Sequence, residues 1–270
     1  MPVVAGPVVR TTTELSADEL ARFEETGVVR LGRVVDDGEL AALRTRIDDI
    51  MLGQVRYDGM MMQLDSDSGR YEDMPAQTPG FKGATLAYRK IEQLELDPVF
   101  RRYLQRPLIR SLATRLIGPE VAIYRSMFMN KPAGKGTVLP WHQDGGRIWQ
   151  LTGQPLLTLW LALDPATPDN GCVRIVPGSH RLGLLSEYGH TITPEQERAH
   201  CPPERCEELV MEPGELVLLH NLVLHASGIN TSGQPRRAFS ACLMDAAIRS
   251  TIPDHPGFPR LFGTGALPAA

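Results

Sequence analysis

The spacing of the apolar residues changes near residue 119, and that change limits the folds open to this chain. Before it, apolar side chains recur every three or four residues, as on one face of a helix. Leu40, Leu43, Ile47 and Ile50 form one such stripe behind Asp36 and Asp37, either of which can cap the helix. Phe100, Tyr103, Leu104, Leu108, Leu112 and Leu116 form a second stripe. It predicts one helix from Asp97-Pro98 to the stop at Gly118-Pro119. A shorter helix follows Ser16, with Glu19 at the capping-box position and Gly27 as its end; residues 28–32 then read as a strand. After residue 119 the apolar runs are short and strand-like, over 121–129, 156–163, 172–176, 215–220 and 237–244. The run 156–163 is apolar on both faces, which suits a central strand covered on both sides. Turn signals at Asp169-Asn170-Gly171 and Pro213-Gly214 punctuate these runs. Helices first and strands afterwards predict a mainly β protein: one domain with a helical N-terminal layer of about 15–118 on an all-β core of about 119–250.

Three stretches fall outside that pattern. Residues 1–14 read as an extended arm. Residues 53–83 are rich in Gly, Asp, Ser and Pro and hold Met60, Met61 and Met62, as a loop that folds over a site or an irregular surface would. Residues 181–207, with Pro194, Pro202 and Pro203, read as a long excursion.

Composition removes several classes of function. A formal net charge of −4 and the absence of a basic stripe argue against a general nucleic-acid binder. Four irregularly spaced cysteines are too few for a disulfide scaffold, and Cys201 and Cys206 lack the second pair a zinc site needs. No run reaches the ~18–20 apolar residues of a membrane span, and the N-terminal residues show no signal-peptide pattern. The expectation is a cytoplasmic protein with reduced thiols, partnered by neither nucleic acid nor a membrane.

The chemistry concentrates in Pro140-Trp141-His142-Gln143-Asp144-Gly145-Gly146. In an extended strand, side chains two residues apart share a face, so His142 and Asp144 can grip one ion together. A third ligand must come from elsewhere. His180, His190, His200 and His255 sit in polar, loop-like contexts. His220 competes with His225, five residues on and of opposite parity in a regular strand. His225 is favoured because Ser227 shares its parity and Arg236 can return on the next strand. Two histidines and a carboxylate on one side of a metal make the facial triad of non-haem Fe(II) oxygenases. Iron of this type needs an electron-rich co-substrate, and the far carboxylate of 2-oxoglutarate suits a guanidinium fork plus a hydroxyl, as Arg236 and Ser227 offer. The alternative is that Arg236 and Arg237 only decorate the turn after Gly233-Gln234-Pro235.

Taken in order, Asn130-Lys131-Pro132, Leu139-Pro140-Trp141-His142-Gln143-Asp144, the segment 169–180 and His225-Ala226-Ser227-Gly228-Ile229-Asn230 with Arg236 resemble the phytanoyl-CoA dioxygenase family of Fe(II)/2-oxoglutarate oxygenases. The opening Phe23-Glu24-Glu25-Thr26-Gly27-Val28-Val29 is similar to that family's as well. The resemblance implies a double-stranded β-helix, a cupin-like jelly roll, with iron in its mouth. It implies His142, Asp144 and His225 as iron ligands, Arg236 and Ser227 on the C5 carboxylate of 2-oxoglutarate, and Met127 and Trp160 lining that pocket, although both would serve equally well as core residues. Family members that halogenate carry Gly or Ala in place of the carboxylate, so Asp144 favours hydroxylation or another oxidation using O2.

The resulting expectation is a dioxygenase that hydroxylates a small organic metabolite with release of succinate and CO2. The alternatives are desaturation, cyclisation or rearrangement by the same iron chemistry, or a jelly-roll binding protein without catalysis. No basic cluster suited to coenzyme A stands out. Arg125, Arg147 and Trp149 lie near cavity-lining positions in sequence, and a cation in a dry mouth needs an anion. They suggest a polar substrate with an anionic group, unless both arginines pair with carboxylates of the chain itself.

Overall fold

The computed structural model describes residues 8–186, 188 and 191–270; residues 1–7 of the expected arm and His190 lie outside them. The first helix, α1 (Ala17–Thr26), opens on a capping box between Ser16 and Glu19 and closes at Gly27, whose φ of 73° is left-handed. Strand β1 (Val28–Arg33) leads to α2 (Asp37–Met51), opened by a second capping box between Asp36 and Glu39. Strands β2 (Met61–Leu64), β3 (Thr78–Pro79) and β4 (Tyr88–Glu92) follow.

Where one helix was expected there are two, α3 (Pro98–Leu104) and α4 (Pro107–Leu116). Pro107 has no N–H and disfavours helical geometry at Arg106, whose ψ is 149°. The stripe nonetheless continues across the break, because both helices bury their apolar side chains in one core.

Eight strands then divide between two facing sheets, changing sheet at every step except from β8 to β9: β5 (Val121–Lys131), β6 (Leu139–His142), β7 (Leu157–Ala162), β8 (Val173–Ile175), β9 (Glu207–Glu208), β10 (Glu215–His220), β11 (His225–Ser227) and β12 (Arg236–Asp245). The larger sheet takes β10, β7, β12 and β5 side by side; the smaller takes β6, β11, β8 and β9. All these pairs are antiparallel. This is the jelly roll, with four strands in each sheet. A helix α5 (Pro194–His200), opened by Thr193 and Gln196, lies within the excursion 181–207.

The expected division at residue 118 does not separate helices from sheet. β1 extends the larger sheet beside β10, while β4, β2 and β3 extend it beyond β5. A last strand, β13 (Arg260–Phe262), pairs with β5 from beyond residue 250. Met60 and Met62 are fully buried against the helices, so that part of 53–83 is an edge hairpin in the core rather than a cover.

The strand β7 shows why both faces of the larger sheet are apolar. Leu157, Leu159 and Leu161 join Phe239, Ala241 and the helices in the main core. Trp160 and Ala162, on the other face, pack with Val173, Ile175, Val217 and Ala238 between the sheets. Each fully buried Leu or Phe contributes on the order of 1.5–3 kcal/mol. The helical layer therefore covers one face of the larger sheet, and the cavity lies on the other, between the sheets.

Candidate active site

His142 ends β6, and His225 begins β11 directly opposite it in the smaller sheet. Their ring centroids are 4.0 Å apart. Asp144 lies beyond the end of β6, in a bend, so strand parity is not what places it. Its backbone N–H donates to Asn221 O at 2.8 Å, which folds the turn back so that the carboxylate reaches both imidazoles. His142 Nε2 is 3.9 Å from Asp144 Oδ1, and His225 Nε2 is 3.8 Å from Asp144 Oδ2. One donor atom from each of the three residues lies within 4.8 Å of the others.

The other imidazole nitrogens are spoken for. His142 Nδ1 lies 2.8 Å from Pro140 O and His225 Nδ1 lies 2.9 Å from Val223 O. Each must donate to its carbonyl, so the proton sits on Nδ1 and the lone pair on Nε2 points to the shared centre. Two neutral nitrogens and one carboxylate on one side of a point form the donor set for a divalent cation with positions left open.

Two residues given no role in the sequence hold this turn in place. Gln143 is fully buried; its side-chain NH2 donates to Gly183 O and Leu222 O, both at 2.8 Å, and its Oε1 accepts from Leu185 N at 2.7 Å. Asn221 donates to Cys242 Sγ at 3.0 Å, and its Oδ1 accepts from Thr158 at 3.1 Å. The chain thus crosses from the larger sheet to the smaller between His220 and His225 on a pinned turn. This crossing, rather than parity within one strand, is what takes His220 away from the centre. His220 instead packs on His180 at 4.9 Å and on Phe23 at 6.2 Å. Burial and the neighbouring His180 push it down to about 4, and its Nδ1 accepts from Leu222 N at 3.1 Å.

The three donors open into a cavity of about 270 Å³ between the sheets. Arg236, Ser227, Met127 and Trp160 all line it. Ser240 pairs with Met127 on one side and Trp160 on the other, so one row crosses three strands. Arg236 and Arg237 point oppositely. Arg237 is bound by Asp164 at 2.7 and 3.0 Å and by Asp48 at 2.7 Å on the outer side. Arg236 is 4 % exposed, with one bond from Nη2 to Gly171 O at 2.9 Å and its Nε without a partner. Its guanidinium lies 5.6 Å over the Trp160 ring. Burial brings it down to about 10. A buried guanidinium with an unused donor fits an incoming carboxylate.

Sequence reasoning missed the cations beside it. Lys131, directly opposite Arg236, is 5 % exposed, and burial with Arg236 and Arg89 lowers it to about 6. Its Nζ donates to Thr137 O at 2.6 Å. Arg89 also lines the cavity and donates to Gln63 Oε1 at 3.1 Å. Lys131 falls within the Asn130-Lys131-Pro132 piece of the family resemblance, but no role goes with it in the sequence, because β4, β5 and β12 meet only in the folded sheet. Of the residues suggested for the substrate, Arg125 and Trp149 line the cavity. Arg147 is exposed and is not among its lining, because its turn aims Trp149 inward instead.

Comparison with known proteins bears directly on this arrangement. Residues 23–238 match the family model for phytanoyl-CoA dioxygenase (PhyH). A curated relative, phytanoyl-CoA dioxygenase 1 of Oryza sativa subsp. japonica, is 28 % identical over 253 residues, covering 86 % of this chain and 89 % of the relative. Among solved structures, EctD from S. alaskensis with 2-oxoglutarate and 5-hydroxyectoine superposes with a TM-score of 0.71 at 21 % identity, over 100 % of this chain and 90 % of that one. The epimerase SnoN in complex with Fe3+, alpha-ketoglutarate and nogalamycin RO superposes at 0.67 and 20 % identity, over 90 % and 97 % of the two chains. The family match spans most of the chain and includes His142, Asp144, His225, Ser227 and Arg236, and the chain belongs to the phytanoyl-CoA dioxygenase family.

Proposed function

We propose that this protein is an Fe(II)- and 2-oxoglutarate-dependent dioxygenase that hydroxylates a small organic metabolite, releasing succinate and CO2. The observation that carries the reading is one cavity holding both the convergent His142, Asp144 and His225 and the buried, half-satisfied Arg236. His142 and His225 would bind iron through Nε2, with their Nδ1–H groups held by Pro140 O and Val223 O. Asp144 is the one anionic ligand. Arg236 and Ser227 would take the C5 carboxylate of 2-oxoglutarate, with Met127 and Trp160 along its chain. Iron with this co-substrate supplies the activation of O2. The protein's own share is to orient the two ligands and to keep water out of the cleft between the sheets. Four free cysteines suit a reduced compartment such as the cytoplasm. Among the described residues no helix is long and apolar enough to cross a membrane.

The test is oxygen uptake and succinate formation when Fe(II) and 2-oxoglutarate are added together. Omission of either component should abolish both signals. A jelly-roll binding protein without catalysis would give neither. A second reading, rearrangement instead of hydroxylation, is favoured by the epimerase SnoN among the structural neighbours. Product mass separates the two, since hydroxylation adds one oxygen atom and epimerisation adds none.

A further inference from the structure

The face of β5 that lines the cavity carries Arg125, Met127, Met129 and Lys131 at alternate positions. Lys131 sits opposite Arg236. Arg125 lies six residues away, about 20 Å along an extended strand. A carboxylate held by Arg236 is therefore out of reach of Arg125, and the two cations answer to different ligands.

A bulge beside Arg125 sets the direction of Tyr124. In the pairing of β5 with β12, Arg125 faces Cys242 and Ile123 faces Leu243, so Tyr124 is the extra residue. The bulge lets Tyr124 stack on Trp149, with centroids 4.5 Å apart and planes at 22°, while Arg125 still enters the cavity. The guanidinium lies 4.9 Å from both ring centroids and donates to Tyr124 Oη at 3.3 Å. It is held in place before any ligand arrives.

Its charge is only partly matched. Glu92 Oε1 is 2.9 Å from Lys90 Nζ and 3.8 Å from Arg125 Nε. One carboxylate thus serves two cations and stands closer to the lysine. Lys90 lines the same cavity and is opposite Met129, on the face that Arg125 shares. Asp144 also acts on Arg125, but it belongs to the triad. One positive charge is left over in a partly dry mouth, where an amine would meet repulsion and a carboxylate would be drawn in. With only about 270 Å³ to share with a co-substrate, the body behind that carboxylate is small.

We infer that the prime substrate is a small organic monocarboxylate whose anionic group seats on Arg125, beside Lys90 and Trp149. This rests on the dioxygenase reading for what happens to the bound acid, while the charge and shape of the mouth carry the choice of class.

The test uses the full-length protein loaded with Ni(II), a metal that does not turn over, and saturated with 2-oxoglutarate so that probes cannot enter the Arg236 end. Calorimetry then compares butanoate, hexanoate, octanoate and phenylacetate with their primary amides and the matching amines. At least one carboxylate should bind tenfold or more tightly than its amide and its amine. Arg125→Met should weaken that carboxylate by about tenfold to a hundredfold, the loss of a charge-assisted pair. Glu92→Gln should tighten it several-fold by removing the competing anion. The affinity for 2-oxoglutarate, staying within threefold in both variants, reports that they are folded. Amides or amines binding as well as the acids would overturn the inference, as would absence of binding by every acid while 2-oxoglutarate binds. So would a carboxylate affinity in Arg125→Met within twofold of the unaltered protein. Failure of the dioxygenase reading shows separately, as an unaltered protein that does not bind 2-oxoglutarate before any probe is added.

Discussion

Lys131 gives the sharpest quantitative expectation. The residue is 5 % exposed and faces Arg236, and burial with Arg236 and Arg89 lowers its amine to about 6 from an ordinary 10.5. Between those two values the unfolded chain holds a proton that the folded protein does not. The folded pKa is the lower one, so this residue's penalty is full below about pH 6 and fades as the pH rises towards 10.5. The slope within that window is about 1.4 kcal/mol per pH unit, so stability should rise by about 2 kcal/mol between pH 7.5 and 9.0 from this group alone. Lys131→Met keeps the length of the side chain and removes the titration. Urea unfolding at both pH values, in the unaltered protein and the variant, should show that rise only in the former. Saturating 2-oxoglutarate should flatten it, because a carboxylate beside Arg236 makes the protonated amine tolerable again. Equal slopes in the two proteins would refute the reasoning.

Asp144→Ala removes the one anionic donor of the triad and should abolish both iron retention, measured by metal analysis after desalting, and succinate formation. Arg236→Lys should raise the 2-oxoglutarate requirement at least tenfold, since a point ammonium cannot reproduce a planar fork; an unchanged requirement would move the carboxylate to Lys131 or Arg89. Ser227→Ala should cost less, about 0.5–1.5 kcal/mol in 2-oxoglutarate affinity. Gln143→Leu removes the partners of two carbonyls and one N–H on half-buried residues, and should lower stability by about 1–3 kcal/mol in urea unfolding.

Much of this architecture was legible in the chain because short-range physics decides it. The capping boxes at Ser16 and Asp36, the left-handed stop at Gly27 and the two-sided apolar run of β7 each depend on residues within a few positions. The same locality made His142 and Asp144 conspicuous, and the residues after His225 set it apart from His220. Pro107 was equally local, yet the uninterrupted apolar stripe hid the break, since packing into one core tolerates two helices as well as one. What tertiary structure alone decided is everything that requires strands from distant parts of the chain to meet. β1, β2, β3, β4 and β13 became part of the larger sheet, and no pattern within them names their partners. Lys131 and Arg89 became buried cations only because β4, β5 and β12 lie side by side. Arg125 faces the cavity because β5 and β12 keep register up to its pairing with Cys242, the bulge beyond it turns Tyr124 onto Trp149, and the turn that carries Trp149 leaves Arg147 outside. Side-chain alternation follows from sequence, but register is settled by the packing of the whole sheet, and a one-residue slip exchanges the two faces.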